Sequence, residues 1–111
     1  MPKKLSAIAK KMAASVLQGK DPSPEAVAVA LRMVHLAWNF ADADYDDEPG
    51  YRFGLRETEQ AIAAVKHAFI DGDAQSLVEM LMKHKRKHYP KDKRAIFSCE
   101  YQNGNVRVTW A

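Results

Sequence analysis

The sequence predicts an α+β fold in which four helices are followed by a C-terminal two-stranded antiparallel β-hairpin. Apolar residues recur at helical spacing over most of the first 88 positions, and capping residues, glycines and prolines divide that region into four segments. An Asn-Gly pair near the C-terminus then separates two stretches of alternating apolar and polar residues. Because helices and strands are segregated along the chain, the class is α+β. We predict one domain over residues 1–111, with helices at about 3–18, 24–41, 55–70 and 74–88 and a hairpin at about 95–110.

Composition limits the kind of protein that this chain can be. Of its 111 residues, 47% are hydrophobic and 28% are charged, which is usual for a soluble globular domain. The single cysteine, Cys99, excludes a disulfide within the chain, and no run approaches the roughly 18 apolar residues of a membrane span. Lys10 and Lys11 interrupt the first apolar stretch, so we expect no signal peptide, a cytoplasmic location and no membrane association.

The first helix is indicated by the spacing of its apolar residues. Leu5, Ile8, Met12 and Val16 recur at intervals of three or four residues, which places them on one face. Gly19 follows as a natural stop.

The second helix begins sharply and is apolar on almost every side. Ser23 is a favoured N-cap, and Pro24 suits the first helical position. The polar side chains of Arg32, His35 and Asn39 interrupt the apolar surface as one narrow stripe. This stripe would form a polar pocket, with His35 as a proton carrier, if the site were catalytic. We favour instead a solvent-facing or internally hydrogen-bonded strip.

The next part of the chain is predicted to be a loop and then two more helices. Residues 42–54 combine an acidic block with proline and glycine and show no periodic apolar face, so we predict a loop there. We expect Tyr51 and Phe53 to fold back onto the helices. After the third helix, Asp73 caps the fourth, which ends just before Pro90.

The register of the hairpin follows from its turn at Asn103-Gly104, because these two residue types best tolerate positive φ. Counting outward places apolar pairs on one face and polar pairs on the other, so a slip of one residue would destroy both faces. The predicted pairs are Tyr101–Val106, Cys99–Val108 and Phe97–Trp110 on the apolar face, and Glu100–Arg107 and Ser98–Thr109 on the polar face. A lone hairpin is marginal in water. We favour cover by the helices, and the alternative is a homodimer joined through the hairpin edge.

The basic segment, residues 83–94, is the strongest functional candidate. It carries seven lysines and arginines against the single acidic residue Asp92. Such a segment is typical of a phosphate-contacting surface, and the alternative is a solvated helix end whose cations complement the helix dipole. The residues predicted to bind nucleic acid are Lys83, Lys85, Arg86, Lys87, Lys91, Lys93 and Arg94, with Tyr89 stacking on a base. The lysines of the first helix extend this surface if the first and fourth helices are neighbours.

Two patterns resemble metal sites but fail in detail. His84 and His88 have the spacing of two zinc ligands, yet the cations around them oppose a metal ion and no third ligand follows. Residues 42–47 begin like a calcium loop, but the sixth position is Asp47 instead of glycine and the twelfth is Phe53 instead of glutamate. We therefore predict no metal ion and no cofactor.

These patterns favour a small non-enzymatic binding module that contacts RNA or DNA phosphates through the basic segment. The alternative is a protein-interaction or regulatory module that uses the acidic loop, residues 42–48, or the hairpin edge. An enzyme with a site around Arg32, His35 and Asn39 ranks last. The predicted partners are accordingly a nucleic acid, a protein, or a second copy of the chain.

Overall fold

The computed structural model describes residues 4–41 and 48–111 of the chain. These residues form four α-helices followed by a two-stranded antiparallel sheet, which confirms the predicted α+β class. The helices are α1 (Leu5–Ala14), α2 (Pro24–Phe40), α3 (Pro49–Ala63) and α4 (Ala74–His88), with a 3₁₀ turn at Lys66–Ala68 between the last two. The strands are β1 (Ile96–Gln102) and β2 (Asn105–Trp110).

Helix α2 lies at the centre of the fold and contacts α1, α3, α4 and β1. Its start is fixed locally, because the Ser23 hydroxyl accepts a hydrogen bond of 3.2 Å from the Ala26 amide and Pro24 needs no partner in the first turn. Side chains on most of its circumference are buried, including Leu31, Met33 and Val34. A helix buried on nearly all sides must be apolar on nearly all sides, which is the pattern that the sequence shows.

Helices α1 and α3 end earlier than predicted, and one long-range contact explains both differences. The predicted helices ran to residues 18 and 70, whereas α1 ends at Ala14 and α3 at Ala63. Leu17 and Phe69 instead form an isolated antiparallel bridge, which the amide of Ile70 flanks with a 3.0 Å hydrogen bond to the Val16 carbonyl. This pairing satisfies backbone groups that a further helical turn would otherwise satisfy.

Helix α3 begins within the stretch that was predicted to be a loop. The loop prediction is wrong over residues 49–54, because proline costs nothing in a first helical turn and the glycines are tolerated there. Gly54 has a specific use: a Cβ atom at this position would lie 2.7 Å from the Leu36 Cδ1, so its absence lets α3 approach α2 closely. Tyr51 is buried as expected, whereas Phe53 is exposed, contrary to expectation. The acidic residues 42–47 lie outside the described residues.

Helix α4 spans the residues predicted for it. The Asp73 carboxylate accepts a 2.8 Å hydrogen bond from the Ser76 amide, and this bond holds the pKa of Asp73 below its usual value. Leu77, Val78 and Leu81 are buried on the inner face of the helix.

The hairpin has the predicted turn and, near that turn, the predicted pairing. Asn103 and Gly104 both have positive φ, at 51° and 80°, and the pairs from Tyr101–Val106 to Ser98–Thr109 are as expected. Beyond them a β-bulge at Phe97 shifts the register, so that Trp110 pairs with Ile96. The predicted Phe97–Trp110 pair is therefore wrong. The bulge turns Ile96 into the core and leaves Phe97 exposed.

The inner face of the hairpin is covered by the helices, as favoured from the sequence. Cys99, Tyr101, Val106 and Val108 are half-buried against the core, with β1 packed on α2 and β2 on α1. Burial raises the pKa of the Cys99 thiol to about 11, so this cysteine is a protonated apolar side chain at neutral pH.

Candidate functional site

The basic segment folds back on itself and divides into an outward and an inward group. The chain leaves α4 through a turn in which the amide of Asp92 donates a 3.2 Å hydrogen bond to the Tyr89 carbonyl. The lysines that are exposed to solvent are Lys83, Lys87, Lys91 and Lys93. Three other predicted phosphate ligands, Lys85, Arg86 and Arg94, have their cationic heads engaged by the chain itself.

Lys85 is a buried structural residue and does not belong to a binding surface. It is 2% exposed, its Nζ donates a 2.9 Å hydrogen bond to the Asp92 carbonyl, and the same atom lies 4.9 Å from the centre of the Trp38 ring. A buried ammonium is tolerated when hydrogen bonds and a ring face replace its hydration. Its position follows from the helical period, since Lys85 lies four residues after the buried Leu81.

Arg86 and Arg94 are likewise occupied within the chain. The Arg86 Nη1 donates a 2.8 Å hydrogen bond to the carbonyl of Ala41, the residue that caps the C-terminus of α2. Arg94 forms a bidentate pair with Asp92, in which Nε lies 2.9 Å from Oδ1 and Nη2 lies 2.6 Å from Oδ2. These hydrogen bonds hold the pKa of Asp92 below its usual value. The Arg94 guanidinium also lies 5.0 Å from the centre of the Trp110 ring.

Tyr89, which was predicted to stack on a base, is half-buried against the core. Its ring centre lies 5.8 Å from that of Trp38 and 6.1 Å from that of His84. We therefore assign Tyr89 to packing at the end of α4.

The outward lysines are joined by a lysine from α1. Lys83, His84, Lys87 and His88 lie on one side of α4, because the second pair of residues follows the first by four positions, which is about one helical turn. The pKa of His84 is held below its usual value, first by partial burial and then by the charges of His88, Lys11 and Lys87. The charge of Lys11 on α1 therefore acts on His84 of α4. We name as the cationic surface the exposed lysines of the basic segment together with Lys11 and the two histidines: Lys11, Lys83, His84, Lys87, His88, Lys91 and Lys93.

The two histidines of the cationic surface are in ring contact, with centroids 4.4 Å apart and planes inclined by 38°. The charges acting on them are cationic, which opposes a metal ion. Among residues 4–41 and 48–111, no cluster of three or more histidine, cysteine, aspartate or glutamate side chains could hold a metal ion.

The polar stripe of α2 lines a groove of about 330 Å³ between α2 and α3. Its lining includes Arg32, His35 and Asn39 from α2 and Glu57 from α3. The Asn39 side chain is committed to the fold, since its Nδ2 donates a 2.8 Å hydrogen bond to the Ile96 carbonyl and its Oδ1 accepts one of 2.9 Å from the Ile96 amide.

His35 in this groove is also tied to the start of β1. Burial lowers the pKa of His35, and a hydrogen bond with the backbone of Ile96 partly opposes that shift. The imidazole is thus neutral near pH 7 and helps to anchor the hairpin. The favoured interpretation of the stripe as an internally hydrogen-bonded strip accounts for these contacts. Thr58, which also lines the groove, donates its hydroxyl to the Gly54 carbonyl over 2.8 Å.

Comparison with known proteins finds no matching family model, no matching curated protein and no matching solved structure. Within the described parts of the chain, none of the helices combines the length and the apolar content needed to cross a bilayer.

Proposed function

We propose that this chain is a non-enzymatic binding module that contacts the phosphates of RNA or DNA through the cationic surface. The observation that carries this proposal is the grouping of the exposed Lys83, Lys87 and His88 on one side of α4, where the charge of Lys11 from α1 also acts on His84. Clustered cations release condensed counterions when they meet a phosphate backbone, and this release supplies affinity that does not depend on sequence.

The chemistry of the outward side chains favours phosphate contacts over base reading. Bidentate recognition of guanine relies mainly on arginine, and the guanidinium groups of Arg86 and Arg94 already donate hydrogen bonds to the Ala41 carbonyl and to the Asp92 carboxylate. The outward residues are lysines, which act as flexible point charges and suit phosphate oxygens. We therefore expect little discrimination between nucleotide sequences.

Reversing three charges of the cationic surface tests the proposal. The variant Lys11→Glu, Lys83→Glu, Lys87→Glu is expected to bind RNA at least about 100-fold more weakly at low salt, and its slope of log affinity against log salt should fall by about 2. The thermal midpoint should change little, because all three residues are exposed. Fluorescence anisotropy with labelled single-stranded RNA and duplex DNA across 50–200 mM salt, conditions chosen for their steep effect on affinity, measures both quantities.

A matched control separates the site from net charge alone. The variant Lys20→Glu, Arg56→Glu, Lys66→Glu changes the charge equally at exposed positions outside the cationic surface. It should retain most of the affinity. An equal loss in both variants, or no binding by the unaltered protein at low salt, would refute the proposal.

A second candidate function, interaction with a protein through the hairpin, is favoured by the exposure of Phe97. This ring is 66% exposed at the bulge of β1, beside the polar pair Ser98–Thr109. If the hairpin pairs with a second copy, sedimentation of the unaltered protein should depend on concentration and that of Phe97→Asp should not. A protein that remains monomeric at millimolar concentration would remove the self-pairing version.

A further inference from the structure

His84 and His88 lie on one side of α4 within the cationic surface. One turn of α4 separates them, and their rings are in contact at 4.4 Å. His84 is half-buried beside the Tyr89 ring, whereas His88 is exposed. Each imidazole, when protonated, presents two N–H donors of the kind that phosphate oxygens accept.

The charged groups that act on this pair are cations from two helices. Lys87 on α4 and Lys11 on α1 both act electrostatically on His84. On the side of the turn after α4, the pair meets the neutral Tyr89 ring. The single carboxylate of the basic segment, that of Asp92, is bonded to Arg94. Partial burial and this cationic surrounding hold the pKa of His84 below its usual value, so the free protein carries it mostly as neutral imidazole at pH 7.

We propose that His84 and His88 form a proton-linked phosphate site: when a phosphodiester binds to the cationic surface, the pair takes up a proton and the complex tightens as the pH falls. This inference rests on the proposed function. A bound phosphate places a negative charge beside the imidazoles. This charge offsets the repulsion between Lys11, Lys87 and a protonated imidazole, and it therefore stabilises the protonated form. The proton comes from the solvent and is bound at a ring nitrogen. No bond within the phosphodiester forms or breaks.

The direction of the pH effect follows from linkage. The RNA-bound protein holds the imidazole proton more tightly than the free protein does. A lower pH therefore favours binding over the range in which the bound imidazole is protonated and the free imidazole is not. Affinity should therefore rise as the pH falls through the neutral range, by up to about tenfold per pH unit for each proton taken up. Below the range in which the free histidines titrate, affinity should stop changing with pH.

Binding measured against pH tests the inference. The probe is a single-stranded RNA carrying a cyanine dye, whose emission is insensitive to pH, titrated at constant salt between pH 6.0 and 8.0. The unaltered protein is expected to bind about tenfold or more tightly at pH 6.0 than at pH 8.0. At pH 8.0 the variant His84→Gln, His88→Gln should bind RNA as tightly as the unaltered protein does, and its affinity should not increase at pH 6.0. The matched control is His67→Gln, at an exposed histidine in the 3₁₀ turn, whose affinity should still increase at pH 6.0.

Each alternative result identifies which idea fails. Binding that is tight but independent of pH in the unaltered protein overturns the proton linkage and leaves the proposed function standing. The same pH dependence in the double variant also overturns the linkage, because another group would then carry it. No binding at pH 6.0 and low salt overturns both. If the double variant does not fold, NMR of the His84 imidazole in the unaltered protein decides, since its titration must move to higher pH when RNA is bound.

Discussion

Replacing Ile96 by alanine is expected to lower the free energy of unfolding by about 2–5 kcal/mol. The Ile96 side chain is 2% exposed and belongs to the main hydrophobic core, so truncation leaves a cavity among rigid neighbours. The adjacent Phe97→Ala should change the same quantity by less than about 0.5 kcal/mol, because this ring is largely exposed. Urea denaturation followed by circular dichroism measures both variants.

This pair of variants decides between two registers of the hairpin. The bulged register puts Ile96 opposite Trp110 and in the core, whereas an unbroken ladder would put Phe97 there. A large loss of stability for Phe97→Ala with a small one for Ile96→Ala would show that the ladder is unbroken. The two positions are neighbours in one strand, so differences in strand propensity cannot imitate the expected contrast.

The hairpin also shows how far local sequence signals reach. The Asn103-Gly104 turn predicts the strand pairs close to it, together with the alternation of apolar and polar residues on either side. A two-residue turn fixes the register only of the residues that follow it without a bulge. At the bulge, Asn39 bonds both backbone groups of Ile96 from a distant helix. No pattern within residues 95–110 contains that contact. The early ends of α1 and α3 have the same origin, in the bridge between Leu17 and Phe69.

The candidate site could be predicted in its composition but not in its orientation. The count of charges located the basic segment. It could not distinguish lysines that face solvent from cationic side chains that form hydrogen bonds within the protein. One part of this division was available from the sequence, since Lys85 continues the apolar face of Val78 and Leu81. The hydrogen bond of Arg86 was not, because its acceptor, the Ala41 carbonyl, lies at the end of another helix. The contribution of Lys11 likewise required the relative placement of α1 and α4.

Replacing Trp38 by alanine is expected to cost about 3–5 kcal/mol of stability. Its indole is 3% exposed and joins α2 to the basic segment through three different contacts. The Nε1 donates a 2.7 Å hydrogen bond to the Arg94 carbonyl, the ring faces the Lys85 ammonium, and the ring packs against Tyr89. Trp38→Phe keeps most of the apolar area and should cost about 1–3 kcal/mol, which isolates the loss of the N–H donor and the smaller ring.

The second tryptophan, Trp110, provides the matched control for the substitution of Trp38. Trp110 is 51% exposed and faces the Arg94 guanidinium, so Trp110→Phe should cost less than about 1 kcal/mol. Equal losses for Trp38→Phe and Trp110→Phe in urea denaturation would contradict the role given to the buried indole. If the expected difference is found, the buried ammonium of Lys85 has a structural explanation: Trp38 holds the turn after α4 in place and supplies the ring face over which that charge lies. The inward half of the basic segment then serves to fix the fold, which leaves the outward lysines and the two histidines as the part of the segment available to a phosphate ligand.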